Sequence, residues 1–232
     1  MINLSEYGKI YTHDNFNWFE KKLKRKAYSN TKKDLLFYPL DLHQVSQLKV
    51  DDVSLYSTTD LQTSTAMCRW LKYTFPEHVD LKMTITDANA CIGGSTIVFS
   101  NEFAKVNSVE IDKERFLMLE HNVNNVLKLS NVKTYEGDYL EYIDKLEQDI
   151  IFLDLPWGGK DMKKHMWTYL YLSEKPLHDI CIDLQKKSNL LILKVPKNFD
   201  FEFFLLKCLD IYEKYAIYNY SNNVIFIVLK MK

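Results

Sequence analysis

A carboxylate, a proline and an indole stand together in Asp154-Leu155-Pro156-Trp157, and Gly158 and Gly159 close the stretch. Proline and paired glycines make a rigid, tightly turned loop. A tryptophan held in such a turn is costly to expose unless a flat ligand stacks on it. The Asp154 carboxylate accepts hydrogen bonds, so it suits a ligand that offers N–H groups. A tryptophan that merely plugs the end of a sheet is the competing account of Trp157.

Three further carboxylates recur at comparable places. Asp87 opens the stretch Asp87-Ala88-Asn89-Ala90-Cys91-Ile92-Gly93-Gly94, whose paired glycines allow a tight turn and a close backbone approach to a ligand. Glu110-Ile111-Asp112 follows, with Glu110 17 positions beyond Gly93. That is close to the roughly 20-residue offset at which an acid meets a ribose diol in dinucleotide folds. Gly137-Asp138-Tyr139 is the third, and an acid there would accept from an exocyclic adenine amine. Taken singly, the glycines can be only a turn and Asp138 only a helix cap. Taken together, they suit one nucleoside. GxGxxG and GxxxxGK[ST] are both absent, which argues against a nicotinamide dehydrogenase and a P-loop phosphotransferase.

The elements needed to position these residues are readable from periodicity. From Met83 onward, strands (82–87, 106–111, 132–136, 150–153, 190–195) alternate with helices (95–104, 113–128, 201–209). Two last strands, 212–220 and 223–230, flank a tight turn at Ser221-Asn222. Alternating βα units predict a parallel sheet covered by helices, here ending in an antiparallel hairpin. Each of the four carboxylates then falls just after a strand, on the side where open α/β sheets bind ligands. Residues 1–80 read as a helical extension ahead of a core over 81–232. A helix is expected around Phe16, Phe19 and Leu23, and another over Thr63–Lys72.

The 232 residues are 47% hydrophobic, enough for one full domain with a small extra lobe. The formal net charge of −1 supplies no global basic field, so any nucleic-acid contact must be local. Residues 1–33 hold eight Lys/Arg against three acids, with Lys24 and Arg25 in the densest run. Single lysines there are equally well explained as a solvated helix face. The four cysteines are scattered, with no CxxC and no Cys/His cluster, so no metal site is expected. The start lacks a basic-then-apolar leader, and the apolar run at Val224–Leu229 is too short to cross a bilayer. The expectation is an intracellular monomer, nuclear or cytoplasmic, belonging to a cell or to a virus acting in its host.

A turn of the type [D/N/S]PP[W/Y/F] marks amino-group methyltransferases, and the surrounding motifs resemble one family of them, the trimethylguanosine synthases. That family's DAFCGVGGN is matched by Asp87–Ser95 as DANACIGGS, and its AIDID by Ser108–Asp112 as SVEID. GDFL is matched by Gly137–Leu140 as GDYL, and FLSPPWGGPDY by Phe152–Met162 as FLDLPWGGKDM. LPRN is matched by Val195–Asn198 as VPKN, and WFSVTPE is weakly echoed by Leu55–Asp60 as LYSTTD. The likeness runs over residues 52–232.

The resemblance implies a Rossmann-like class I methyltransferase fold: a seven-stranded, mostly parallel sheet with a C-terminal antiparallel hairpin and a helical N-terminal extension. It implies S-adenosylmethionine, held by Thr59, Asp87, Asn89, Ala90, Gly93, Glu110, Ile111, Asp138, Tyr139 and Asp154. It implies 7-methylguanosine-capped RNA as the substrate, methylated on N2. Asp154, Pro156 and Trp157 would form the catalytic loop. Trp157, Lys197, Asn198, Lys24 and Arg25 would bind the cap and its phosphates. Three departures stand out: Asp154-Leu155 replaces Ser-Pro, Asn89-Ala90-Cys91 replaces a Phe-Cys-Gly run, and Lys197 replaces Arg. An aspartate at 154 is also the pattern of adenine-N6 methyltransferases. Other acceptors therefore stay open: adenine N6, guanine N2 in tRNA or rRNA, and a small molecule. A catalytically silent module that binds RNA or protein is a further alternative.

Overall fold

The computed structural model of the chain describes residues 4–12, 31–158, 168–221 and 223–232. The chain opens with strand β1 (Gly8–Thr12). Three short helices follow, α1 (Lys32–Leu36), α2 (Leu42–Gln47) and α3 (Ser54–Ser57), then a longer one, α4 (Leu61–Thr74). Alternation begins with β2 (Thr84–Asp87), α5 (Gly94–Glu102), β3 (Lys105–Glu110), α6 (Lys113–Glu120) and β4 (Val132–Glu136). After β5 (Ile150–Leu153) come the short strands β6 (Tyr171–Leu172) and β7 (Lys175–Pro176), then α7 (Leu177–Asp183). The chain finishes with β8 (Leu190–Pro196), α8 (Phe201–Lys207), β9 (Tyr212–Asn219) and β10 (Val224–Met231).

These elements form two compact units. The unit ending at Gln148 carries α1–α6 and three parallel strands in the order β2-β3-β4. Ile85, Val106 and Val109 on its strands pack with Phe99 and Leu119 from its helices, all nearly or fully buried. Asp60 caps α4 by accepting from the Thr63 N–H, and Asp112 caps α6 by accepting from the Arg115 N–H.

The other unit takes β1 and the chain from Asp149 onward. Its strands run β1-β9-β10-β8-β5, with β5 parallel to β8 and β10 antiparallel to both β8 and β9. All four residues of β5 and all seven of β8 are buried. Near-continuous apolar runs of this kind are what parallel strands covered on both faces require.

The α/β class and the terminal hairpin agree with expectation, but the described residues form more strands than the seven expected. One added strand is β1, in the segment expected to be helical; it pairs parallel to β9, with Gly8 opposite Tyr215. A Cβ at Gly8 would overlap the Tyr215 carbonyl, so the backbone approach, not a side-chain pattern, dictates this strand. The expected long helix over 113–128 is α-helical only to Glu120 and continues as a π turn over His121–Val126. The expected helix around Phe16–Leu23, with Lys24 and Arg25, lies outside the described residues, as does Asn222 of the terminal turn. No helix among the described residues is long and apolar enough to cross a membrane.

Candidate functional site

The glycine turn after β2 is built as its spacing demands. Gly93 caps α5 with φ 100°, a left-handed conformation that favours glycine. At Gly94 a Cβ would overlap the Thr59 carbonyl oxygen and crowd the Thr58 methyl. The segment carrying Thr59 therefore closes directly onto the start of α5. Ala90 is buried and donates its N–H to Val109 O at 2.9 Å, joining the loop to β3. Asp87 is 1% exposed and accepts from Thr96 Oγ1 at 2.7 Å; Ser108 Oγ lies 2.9 Å from the same hydroxyl. Asn89 Oδ1 is buried and makes no hydrogen bond among the described residues.

Glu110 ends β3 and grips two turns. Its Oε2 accepts from the Cys91 N–H at 2.8 Å, and its Oε1 from the Asp112 N–H at 2.9 Å. Burial pushes its carboxyl above the usual range, opposed by those N–H bonds and by Arg115. Arg115 stands 3.9 Å from Glu110 and 2.8 Å from Asp112. Cys91 sits at φ 51°, and burial pushes its thiol up to about 11, so it carries no nucleophilic thiolate at neutral pH. Ile111, next to the acid, is 56% exposed, unusual for an isoleucine beside a buried strand end.

After β4, Gly137 adopts φ 138°, and Asp138 accepts from the Leu140 N–H at 2.9 Å, capping a one-turn helix. The capping role weighed from the sequence is thus present at Asp138. Tyr139 is 1% exposed, and its hydroxyl donates to Gln148 Oε1 at 3.1 Å. Periodicity did not reveal Asn122. Fully buried in the π turn, it donates to Lys49 O and Ile92 O, both at 3.0 Å, and accepts from the Lys49 N–H at 2.7 Å. One amide thus holds the glycine loop, the N-terminal extension and α6 together.

In the other unit, the loop after β5 presents Asp154, Pro156 and Trp157. Leu155 is buried, Pro156 exposed and Trp157 half-buried, and Gly158 has φ 85°. Trp157 Nε1 is buried with no hydrogen-bond partner among the described residues. Lys194 of β8, which sequence reasoning missed, places Nζ 2.7 Å from Asp154 Oδ2 and over the Trp157 ring, 4.9 Å from its centroid. The signal was available: a lone lysine in the apolar run LLILKVP, where a buried cation demands a partner. Lys197 is exposed just beyond β8. The Asn198 carbonyl accepts from the Thr168 N–H at 2.9 Å. No group of three or more His, Cys, Asp or Glu is placed to hold a metal ion among the described residues.

Known structures share this fold. A precorrin-6y C5,15-methyltransferase from Geobacter metallireducens matches with a TM-score of 0.55 at 13% identity, covering 81% of this chain and 95% of that one. The methyltransferase domain of METTL16 matches with a TM-score of 0.52 at 12% identity, covering 75% and 68%. In sequence, protein L320 of Acanthamoeba polyphaga mimivirus is 28% identical, covering 84% of this chain and 86% of that protein. The fold is that of the class I methyltransferases, which use S-adenosylmethionine, and the protein is an enzyme of that class. More narrowly, residues 82–229 match the RNA cap guanine-N2 methyltransferases, and the chain belongs to that family.

Proposed function

We propose that the protein methylates the exocyclic N2 of a 7-methylguanosine cap on RNA, giving 2,7-dimethyl- or 2,2,7-trimethylguanosine. The observation that carries this reading is the loop after β5. There a half-buried Trp157 sits in a proline turn beside a carboxylate fixed by Lys194. A 7-methylguanine ring is cationic, and an indole binds it by stacking and cation–π attraction. Asp154 accepts from the N2 amine and orients its lone pair for methyl transfer. Asp154 also offsets the positive charge that grows on the nitrogen. Lys197 and Asn198, just beyond β8, meet the cap phosphates.

The donor side fits S-adenosylmethionine. Asn89 Oδ1, a buried acceptor without a donor among the described residues, suits the ligand's ammonium. The Gly93-Gly94 turn lets the Thr59 backbone close directly onto the start of α5, which brings Thr59 beside the glycine loop. Each Glu110 oxygen has used one acceptor site on a backbone N–H, and a carboxylate has about four, so capacity remains for two ribose hydroxyls. Exposed Ile111 gives the adenine an apolar face, with Asp138 and Tyr139 at its edge. S-Adenosylmethionine would supply a methyl already activated on a sulfonium, so the acceptor amine would need only orientation by Asp154 and a route for its proton to water. Asp87, Ala90 and Pro156 shape these loops.

The test uses a 7-methylguanosine cap analogue and labelled S-adenosylmethionine. Trp157→Ala is expected to lower kcat/KM by on the order of 10-fold or more, the loss of about 1–2 kcal/mol of stacking and cation–π attraction, while donor affinity stays nearly intact. Equal loss of both would point to a fold defect. A wild-type enzyme indifferent to the 7-methyl group would overturn the cap reading in favour of another RNA amine.

A further inference from the structure

β8 is buried along its whole length, and one of its seven residues is a lysine. The side chains of Lys194 and Asp154 are 9% and 13% exposed, and their charged atoms lie 2.7 Å apart. An ammonium this deep is expensive unless paired, and removing one partner strands the other. The same ammonium lies over the Trp157 ring, 4.9 Å from its centroid. One cation therefore touches both groups that the loop presents to an acceptor base.

We propose that Lys194 is a positioning and specificity-determining residue for the acceptor base. This rests on the reading of residues 154–157 as the amine-acceptor loop. Its ammonium cancels the charge of Asp154 and fixes the carboxylate's rotamer, so the pair offers a hydrogen-bond acceptor without net charge. It also occupies one face of the Trp157 indole, so the base stacks on the opposite face, which fixes the side from which the amine is presented. A cation already on the ring weakens its attraction for a second one. Lys194 therefore moderates the preference for a cationic purine, and ground-state binding does not outrun positioning of the amine.

The expected outcome for Lys194→Met separates two kinetic constants. Without the ammonium beside the carboxylate and over the indole, a cationic cap analogue binds as well or better, so KM holds or falls. With Asp154 no longer fixed, kcat drops by on the order of 10-fold. The ratio of kcat/KM for 7-methylated over unmethylated cap rises. Lys194→Arg keeps the charge and recovers most of kcat. Asp154→Asn removes the lysine's carboxylate partner, and Asp154→Asn/Lys194→Met is more active than the two single losses predict by addition. A Lys194→Met enzyme with raised KM, lowered melting temperature and no recovery in the double variant would reduce Lys194 to a structural role. If the wild type leaves the cap analogue unmethylated, the cap reading fails by itself. The same cycle is then run on the RNA amine that it does methylate, where non-additivity upholds the pair and simple addition overturns it.

Discussion

Glu110 is 7% exposed, and burial raises its carboxyl above the ordinary glutamate range. A ribose diol donates more strongly to the ionised form, and protonation turns one of the two acceptor oxygens into a donor. Donor affinity should therefore fall as pH drops through this raised value, beginning nearer neutrality than an ordinary glutamate would allow. Glu110→Gln should abolish that acid-side step and weaken binding at neutral pH by about 10- to 100-fold, in line with hydrogen bonds to a charged group. Isothermal titration of S-adenosylmethionine across the acid side of neutrality measures both. An affinity flat with pH would mean that Glu110 serves only to hold the Cys91 and Asp112 N–H groups.

Among the elements, the π turn at His121–Val126 ties together segments far apart in the chain. It holds Asn122 where one side chain makes three hydrogen bonds to Lys49 and Ile92. Asn122→Ala leaves those backbone groups buried and unpaired, so the expected cost is about 2–4 kcal/mol. Urea unfolding reads that loss as a lower midpoint. Because Ile92 lies in the glycine loop, donor affinity should fall as well, even though Asn122 is not assigned to touch the donor. A destabilised variant with unchanged affinity would uncouple the staple from the loop.

For the whole molecule, charge is the controlling quantity. With a net charge of −1, attraction for RNA has to come from local clusters, and residues 1–33 hold the densest one. Lys24→Ala/Arg25→Ala should raise KM for capped RNA more than for the bare cap analogue. It should also flatten the dependence of log affinity on log salt by up to about 1.4, roughly 0.7 for each single-strand phosphate that is no longer neutralised. An unchanged salt slope would return the arm to a solvated surface.

The alternating strands and helices were legible from residue 83 onward because apolar periodicity is a local property that burial enforces. The carboxylates at the strand ends and the Leu155-Pro156-Trp157 turn were legible too, since residue type and spacing survive in one dimension. Strand β1 was not, because what specifies it is the approach of Gly8 to Tyr215, more than 200 residues away in the chain. The break from α to π in α6 was hidden for a similar reason: Asn122 answers to Lys49 and Ile92, not to its helical neighbours. Lys194 is the sharpest case. Its sequence announces a buried charge in need of a partner, and only the tertiary structure decides that the partner is Asp154, because a contact between β8 and the loop after β5 exists only once those strands have paired.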